Sequence, residues 1–269
     1  MYNKEDIIDY YRRYNEDDRL KTAFGRLEEE HTRRLILRHI LNNADVIFDI
    51  GGGTGAYALW LAGLGYVVNY SDIVPDHVQL FEQRVGTGAI NIAYSIQDAR
   101  ELSFDDDRAD VIILNGPLYH LCDRNERSQV LREACRVLKH GGRLLAFTIS
   151  RFAGAQYAIS SGRIFEQGYF DMVVHEIATG IRKNQSTLLT FDSAYFHTQD
   201  EIEAEMREAG FQSISSYGVL GLSGNLPDLE AVVDDDDKRQ RLLALAEIME
   251  PYPMLGSKIM TVGVKTTLG

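Results

Sequence analysis

A glycine-rich loop stands between an apolar strand and a helix in the segment DVIFDIGGGTGAYALWLAGLG. Gly51, Gly52, Gly53 and Gly55 fall within five positions of this loop. Glycine lets the backbone adopt positive φ and lets a ligand lie against the main chain, so the arrangement predicts a cofactor site where the strand ends. The same glycines also fit a dinucleotide-binding pattern, and a tight turn without a ligand is a further interpretation.

Three acidic residues indicate which kind of cofactor the glycine loop can hold. Asp49 precedes the glycines, where a carboxylate opposes a pyrophosphate but suits a ligand that carries ammonium and sulfonium charges. This placement favours S-adenosylmethionine. Asp72 ends the next apolar segment and can accept hydrogen bonds from both ribose hydroxyls, and Asp98 follows the third, where it can accept from an adenine amino group while Ala99 donates.

Asp72 and Asp98 also have structural interpretations, which the sequence leaves open. Asp72 can cap the helix that begins near Pro75, and Asp98 can be a solvated loop residue. The segment NGPLY is also similar to the NPPY motif of amino-methylating DNA enzymes, but Gly116 replaces its first proline and no basic duplex-binding segment accompanies it.

Taken in order, these motifs resemble the class I S-adenosylmethionine-dependent methyltransferases, and among them the small-molecule group with the methyltransferase type 11 signature. The resemblance covers about residues 45–149, through DIGGGTG, Asp72, QDA, NGPLYHL and VLKHGGRLL. It implies a seven-stranded sheet whose last strand is inserted antiparallel. It also implies that the cofactor is held at its methionine end by Asp49, Gly51, Gly53 and the Asn115 carbonyl, at its ribose by Asp72 and Ile73, and at its adenine by Asp98 and Ala99.

Two residues beyond Asn115 are candidates for the chemical step. Methyl transfer from a sulfonium is an in-line displacement that needs no metal, and an oxygen or carbon nucleophile can require a base whereas an amine does not. Tyr119 and His120 lie where strand ends open onto the ligand crevice, so His120 is the first candidate base, although a structural histidine fits equally well. His175 and His197 are weaker candidates.

The stretch DYYRRYNEDDRL combines tyrosines with arginines ahead of the main domain. We predict that residues before Asp18 form a lid over the cofactor and acceptor, with Tyr11 against the ligand; a helix simply docked on the body is the alternative. Further along, Phe165, Tyr169 and Phe170 fit either an acceptor pocket or a small satellite core.

These residues need a particular set of elements to position them. Short β-branched segments alternate with amphipathic helical segments from DVIFDI to GRLLAFTIS, which predicts an α/β fold with a doubly wound, mostly parallel, Rossmann-like sheet. Residues 1–43 are interpreted as an N-terminal helical lid or cap and residues 44–269 as the methyltransferase domain. Insertions are expected at about 151–186 and 225–255, and KIMTVGVK suits the antiparallel last strand.

Composition narrows the class of partner. The 269 residues carry a net charge of −12, which disfavours nucleic acid and anionic membranes as partners. Without a long apolar segment or a typical targeting sequence, a cytoplasmic protein with reduced Cys122 and Cys135 and a small-molecule methyl acceptor is expected. An NAD-type oxidoreductase and a cofactor-binding protein without methyltransferase activity stay open as alternatives, and so does the oligomeric state.

Overall fold

Strands and helices alternate along most of the chain, as the sequence pattern predicts. The structure is a computed structural model that describes residues 4–13, 16–40, 46–86, 91–183, 193–226 and 228–266. Its strands are β1 (Val46–Ile50), β2 (Val67–Asp72), β3 (Ile92–Ile96), β4 (Ala109–Asn115), β5 (Leu138–Ser150), β6 (Ile181–Lys183), β7 (Ser193–His197), β8 (Phe211–Val219) and β9 (Lys258–Lys265).

Helices precede, connect and cover these strands. They are α1 (Lys4–Arg13), α2 (Glu16–Lys21), α3 (Ala23–His39), α4 (Ala56–Gly63), α5 (Pro75–Val85), α6 (Pro117–His120), α7 (Arg124–Val137), α8 (Ala153–Ser160), α9 (Gln167–Thr179), α10 (Gln199–Glu208), α11 (Glu230–Val233) and α12 (Asp236–Met249). The best-defined cap is at α10, where Thr198 and Glu201 form a capping box.

Seven strands form the main sheet in the order β3, β2, β1, β4, β5, β9, β8. The first five are parallel to one another, while β9 runs antiparallel between β5 and β8. This confirms the predicted doubly wound sheet with an inserted last strand. The segment STLLTFDSAYFHT, whose pattern predicts an extended segment or hairpin arm, contains β7. This strand pairs antiparallel with β6 and joins the end of β5 through Ile149 and Ser150.

Strand order reverses between β1 and β4, which is where this class of sheet opens a crevice at its carboxyl edge. Asp49 lies in β1, Asp72 ends β2 and Asn115 ends β4, while Asp98 follows β3 by two residues. The topology therefore brings four polar residues that are far apart in sequence to the same edge.

The N-terminal helices differ in how they attach to this sheet. Leu27, Leu35 and Ile36 of α3 are fully buried in the same core cluster as Ile113 of β4 and Phe147 of β5. Neither α1 nor α2 has a buried residue. The part of the chain that fits a lid is therefore α1 with α2, and the predicted boundary at Asn43 lies outside the described residues.

Two helical insertions interrupt the succession of strands, near the positions that the sequence predicts. The first holds α8, α9 and β6 and the second holds α11 and α12; Ser186, the predicted end of the first, is outside the described residues. Both cysteines are free thiols. Among the described residues, no helix has the length and apolarity to cross a membrane.

Candidate active site

One cavity, here called the glycine-loop cavity, collects the predicted cofactor residues and the two first candidates for the chemical step. Its empty space, including the part open to solvent, is about 980 Å³. It is lined by all of the predicted cofactor and catalytic residues: Tyr11, Asp49, Gly51, Gly53, Asp72, Ile73, Asp98, Ala99, Asn115, Tyr119 and His120. Arg19 of the stretch DYYRRYNEDDRL also lines it, and so do Glu16, His77 and Lys258, which the sequence did not single out.

The glycine loop is shaped by its own neighbours as well as by room for a ligand. Gly51 has φ +71°, and a Cβ there would lie 2.6 Å from the ring of Pro117. A Cβ at Gly52 would lie 2.7 Å from Oδ2 of Asp49. The loop is fastened to the sheet because the amides of Gly51 and Gly52 both donate to the carbonyl of Ser71.

Asp49 has the most unusual environment in the cavity. Its side chain is fully buried, and neither carboxylate oxygen has a hydrogen-bond partner among the described residues. Burial, followed by the nearby charge of Asp72, raises the pKa of Asp49 to about 7, with the backbone at Ala58 acting in the opposite direction. A buried acceptor without a donor is costly to leave in place, so Asp49 fits a ligand that brings a positive charge.

Asp72 holds the loop as well as facing the cavity. Its Oδ2 accepts from the amide of Gly53 at 2.8 Å and its Oδ1 accepts from the amide of Val74 at 2.8 Å. His77 Nδ1 lies 3.4 Å from the same Oδ1. Sequence reasoning gave Asp72 a ribose-binding role or, as the alternative, a cap on the helix near Pro75. Its bond from Val74 lies at the start of α5, as that alternative expects, whereas its bond from Gly53 in the glycine loop was not predicted.

Asp98 also has protein partners. Its carboxylate accepts from the amide, Nε and Nη2 of Arg100, and Arg100 donates in turn to Glu126. Burial alone would raise the pKa of Asp98, but the bonds from Arg100 outweigh it and lower the pKa. The predicted role of Asp98 toward an adenine stays a prediction, with Arg100 as the residue that orients the carboxylate.

The residues that line the glycine-loop cavity carry a net negative formal charge. Its acidic lining residues are Glu16, Asp49, Asp72 and Asp98, against the cations Arg19 and Lys258. This arrangement is unfavourable for the pyrophosphate of a dinucleotide and favourable for a cofactor with ammonium and sulfonium groups. The unpartnered carboxylate of Asp49 thus supports S-adenosylmethionine as the group that the cavity fits.

The candidate lid touches the candidate base directly. The hydroxyl of Tyr11 in α1 lies 2.9 Å from Nε2 of His120 in α6, and the Tyr11 ring packs edge-on against His77 with centroids 4.9 Å apart. Burial lowers the pKa of His120 to about 4, with Asp72 opposing the shift, and burial raises the pKa of Tyr11 well above its usual value. Both side chains are therefore neutral at physiological pH.

A second cavity, here called the tyrosine cavity, adjoins the first. Its empty space, including the part open to solvent, is about 1170 Å³, and it shares Tyr11, Glu16, Arg19, Tyr119 and Lys258 with the glycine-loop cavity. Its remaining wall comes mostly from the first insertion and from β7 and includes Tyr157, Tyr169, Arg182 and Phe196. The insertion therefore forms a chamber next to the predicted cofactor site.

A buried ion cluster lies at the junction of the two cavities. Oε1 of Glu28 accepts from Arg19 at 3.0 Å and from Lys258 at 2.9 Å, and Arg19 also pairs with Glu16. Sequence analysis missed this cluster. One signal was present, because Glu28 is four residues from Phe24 and seven from Leu35, so it interrupts an apolar helical face.

Other candidates from the sequence lie elsewhere. His175 is exposed on α9, and His197 is fully buried 3.4 Å from Oε2 of Glu205; neither lines a described cavity. Of the aromatic cluster, Tyr169 is buried and lines the tyrosine cavity, whereas Phe165 and Phe170 are exposed.

Comparison with known proteins gives the family. Residues 47–142 match the family model described as a methyltransferase domain. Residues 47–142 therefore form a methyltransferase domain of the class I S-adenosylmethionine-dependent type. The matched segment runs from β1 into β5 and includes the glycine loop, Asp72, Asp98 and Asn115, so it contains the cofactor half of the site.

Curated relatives and solved structures agree with this family. The ubiquinone/menaquinone biosynthesis C-methyltransferase UbiE of Vibrio parahaemolyticus is 28% identical over 182 residues, which cover 65% of this methyltransferase and 67% of the relative. A demethylmenaquinone methyltransferase of Tropheryma whipplei is 26% identical over 76% of this chain and 84% of its own. A Thermotoga maritima structure, described as a methyltransferase and possible histamine N-methyltransferase, shares the fold with a TM-score of 0.61, 18% identity and coverage of 96% and 99%.

The cofactor of this methyltransferase is S-adenosylmethionine, and the fit of the cavity agrees with that. When bound, S-adenosylmethionine supplies an electrophilic methyl group on a sulfonium. The residues of this chain placed to hold it are those that line the glycine-loop cavity, and their individual roles remain predictions.

Proposed function

We propose that this methyltransferase transfers the methyl group of S-adenosylmethionine to a small-molecule acceptor bound in the tyrosine cavity. The observation that carries the proposal is the shared wall of the two cavities, formed by Tyr11, Tyr119 and Lys258 among others. Methyl transfer needs the nucleophile and the methyl donor side by side with water excluded. Two adjoining chambers provide for that, whereas a protein that only binds the cofactor needs one.

Acceptor size follows from the same geometry. The tyrosine cavity has small-molecule dimensions and is walled by tyrosine and phenylalanine rings, which favours an acceptor with an aromatic or apolar body. Relatives named for ubiquinone, menaquinone and demethylmenaquinone supply one kind of aromatic acceptor to test. The net charge of −12 and the acidic lining of the first cavity weigh against a nucleic-acid acceptor.

The residues of this chain then have distinct tasks. Asp49 neutralises positive charge in the glycine-loop cavity, and Asp72 holds the loop amides in place. His120, neutral and joined to Tyr11, is placed to take a proton from a hydroxyl or carbon nucleophile at Nε2 once Tyr11 releases it. Helix α1 covers the mouth and excludes water.

Two measurements test the proposal. Calorimetry should show binding of S-adenosylhomocysteine and no comparable binding of NAD. Transfer of a labelled methyl group from S-adenosylmethionine should then be measured on pools of demethylated quinols, phenols, amines and organic acids. Label in at least one small-molecule pool is the expected result; binding without transfer to any pool would favour the cofactor-binding alternative, and preferred binding of NAD would favour the oxidoreductase.

A further inference from the structure

Arg182 of β6 lines the tyrosine cavity, and its guanidinium has hydrogen-bond donors available to a ligand. It lies in the part of the wall that the glycine-loop cavity does not share, and it is 7% exposed. Its Nε donates to Oε1 of Glu176, and its Cζ lies 4.7 Å from the ring centre of Phe196. Within the described part of the chain, its two terminal nitrogens make no hydrogen bond.

The ion pair between Arg182 and Glu176 does not involve these terminal nitrogens. Glu176 is fully buried, and its Oε2 has no hydrogen-bond partner among the described residues, so the pair is held through one nitrogen and one oxygen only. A guanidinium and a carboxylate usually pair through two parallel bonds. Here the planar edge that would form the second bond is left available.

Gly154 keeps this edge open. A Cβ at Gly154 would lie 2.0 Å from Oε2 of Glu176 and 2.8 Å from Nη2 of Arg182, and Gly154 also lines the tyrosine cavity. A side chain at this position would force the Glu176 carboxylate, the Arg182 guanidinium or both to move. The absence of a side chain therefore places Nη2 at the cavity wall.

The carboxylates of the same cavity are already matched with cations. Glu28 accepts from both Arg19 and Lys258, and Glu16 pairs with Arg19. An amine entering the cavity would have to compete with these bonds. An anion, in contrast, meets two unused donors in the fork geometry that suits a carboxylate or a phosphate.

We propose that the methyl acceptor carries a carboxylate or phosphate group that binds the terminal nitrogens of Arg182. Its body lies among Tyr157, Tyr169 and Phe196, and its nucleophilic atom points to the shared wall at Tyr11 and Tyr119. This inference rests on the proposed function, since it assigns the acceptor class to the same cavity.

Binding of matched probes tests it without turnover. With S-adenosylhomocysteine bound, dissociation constants are measured for 4-hydroxybenzoate, 4-hydroxyphenyl phosphate, the neutral 4-hydroxybenzamide and the cationic tyramine. One or both anions should bind at least about tenfold more tightly than the amide and the amine, and the better anion identifies the headgroup. Equal binding of all four probes, tighter binding of tyramine, or no binding of either anion at millimolar concentration overturns the inference.

Variants separate Arg182 from general electrostatics. Because R182Q alone leaves Glu176 buried and unpaired, the informative pair is E176Q, which keeps the guanidinium, and E176Q/R182Q, which removes both charges. E176Q should keep the preference for the anion and the double variant should lose it, while R207Q on the surface of α10 is the matched control for loss of one positive charge. Retention of the preference in E176Q/R182Q would show that Arg182 is not the anion site.

Failure of this inference is distinguishable from failure of the proposed function. If S-adenosylhomocysteine binds and methyl transfer to some small molecule occurs, but the anions have no advantage, only the assignment of Arg182 falls. If S-adenosylhomocysteine does not bind to the folded wild-type protein, the proposed function falls first and the inference falls with it.

Discussion

The buried carboxylate of Asp49 makes cofactor binding depend on pH. Burial holds its pKa at about 7 in the free protein, and a positively charged ligand binds the ionised form. Affinity for S-adenosylmethionine should therefore rise by about tenfold or more between about pH 5 and pH 8 in the wild type. In D49N the affinity should be lower at pH 8 and nearly constant across this range, which calorimetry at several pH values would measure.

Because of Asp49, the stability of the free protein should fall as the pH rises, whereas the affinity for S-adenosylmethionine increases. In the unfolded chain the pKa of an aspartate is about 3.9, so between about pH 4 and pH 7 the folded state binds more protons than the unfolded state. The free energy of unfolding contributed by Asp49 is therefore fully present below about pH 4 and is lost as the pH rises through 7. Denaturant unfolding of D49N would check this. If the free energy of unfolding of D49N declines with rising pH as in the wild type, the decline belongs to another group.

Asp72 should affect both the ligand and the loop. In D72N the side-chain amide can accept at one oxygen only, so the bond to Gly53 or the bond to Val74 is lost together with negative charge near the ribose position. We expect affinity for S-adenosylhomocysteine to fall at least about tenfold and the free energy of unfolding to fall by about 1 to 2 kcal/mol. Unchanged affinity in the folded variant would place the ribose elsewhere.

His120 should affect turnover more than binding. Its low pKa keeps it neutral, as a base must be, and it lies next to the wall that the two cavities share. We expect H120Q to bind S-adenosylmethionine within a few-fold of wild type while its turnover falls by about 10² to 10⁴-fold, more for a hydroxyl acceptor than for an amine. Full activity of H120Q would exclude the role of base and leave positioning to Tyr119.

At the scale of elements, α1 and α2 are attached through polar contacts. Arg12 pairs with Asp76 at 2.9 Å, Asp17 pairs with Arg84, and Tyr11 contacts His120, while every residue of α1 is at most partly buried. Deleting residues 1–17 should therefore weaken cofactor binding and turnover but leave a cooperative unfolding transition close to that of the full chain.

A narrower variant isolates the contact that matters. Y11F removes the hydroxyl that contacts His120 and keeps the ring against His77, so it should reproduce part of the loss of turnover without altering unfolding. If the shortened chain does not fold, the segment is part of the core and not a lid.

Local patterns predicted the elements well wherever burial imposes a regular period. The apolar segments around Phe48, Tyr70 and Ile113 became adjacent parallel strands because each is buried on both faces. Strand β6, which pairs with β7, was not predicted, since it has only three residues. Short strands of this kind carry too little pattern to be recognised.

The same distinction applies to the site. Asp49, Asp72, Asp98 and Asn115 could be predicted because each sits at a fixed offset from its own strand. Lys258 and Arg182 could not, because β9 and the first insertion bring them to the cavities from far along the chain. Their sequence neighbourhoods do not differ from those of surface cations.

At the scale of the whole molecule, two buried carboxylates join parts of the chain that are far apart. Burial alone would raise their pKa values, but Lys258 and Arg19 lower the pKa of Glu28 to about 2, and His197 and Arg127 lower that of Glu205 to about 2. Their unfolded value is about 4.3, so each contributes stability that is present above that pH and lost as the pH falls toward 2. We expect the free energy of unfolding to drop by up to about 3 kcal/mol per site in that window.

Denaturant unfolding at several acidic pH values would measure this loss. E205Q should be less stable than wild type at pH 7 and should lose less stability on acidification, because the variant has no carboxylate to protonate there. E208Q is the matched control, because it removes an exposed carboxylate that is on the same helix as Glu205 and pairs with Arg124 of α7. This variant should keep the wild-type acid profile. An E205Q profile as steep as that of wild type would contradict the assignment.

The glycine loop has a consequence for how such proteins diverge over evolutionary time. Gly51 avoids Pro117, Gly52 leaves room for Asp49, and Gly55 avoids the ring of Phe81, so three of the four glycines serve internal packing. A descendant that abandoned catalysis would still be selected to retain them, because replacing them would damage folding. In a lineage of this kind the first reliable trace of lost activity would be the replacement of Asp49, whose burial only an incoming positive charge compensates.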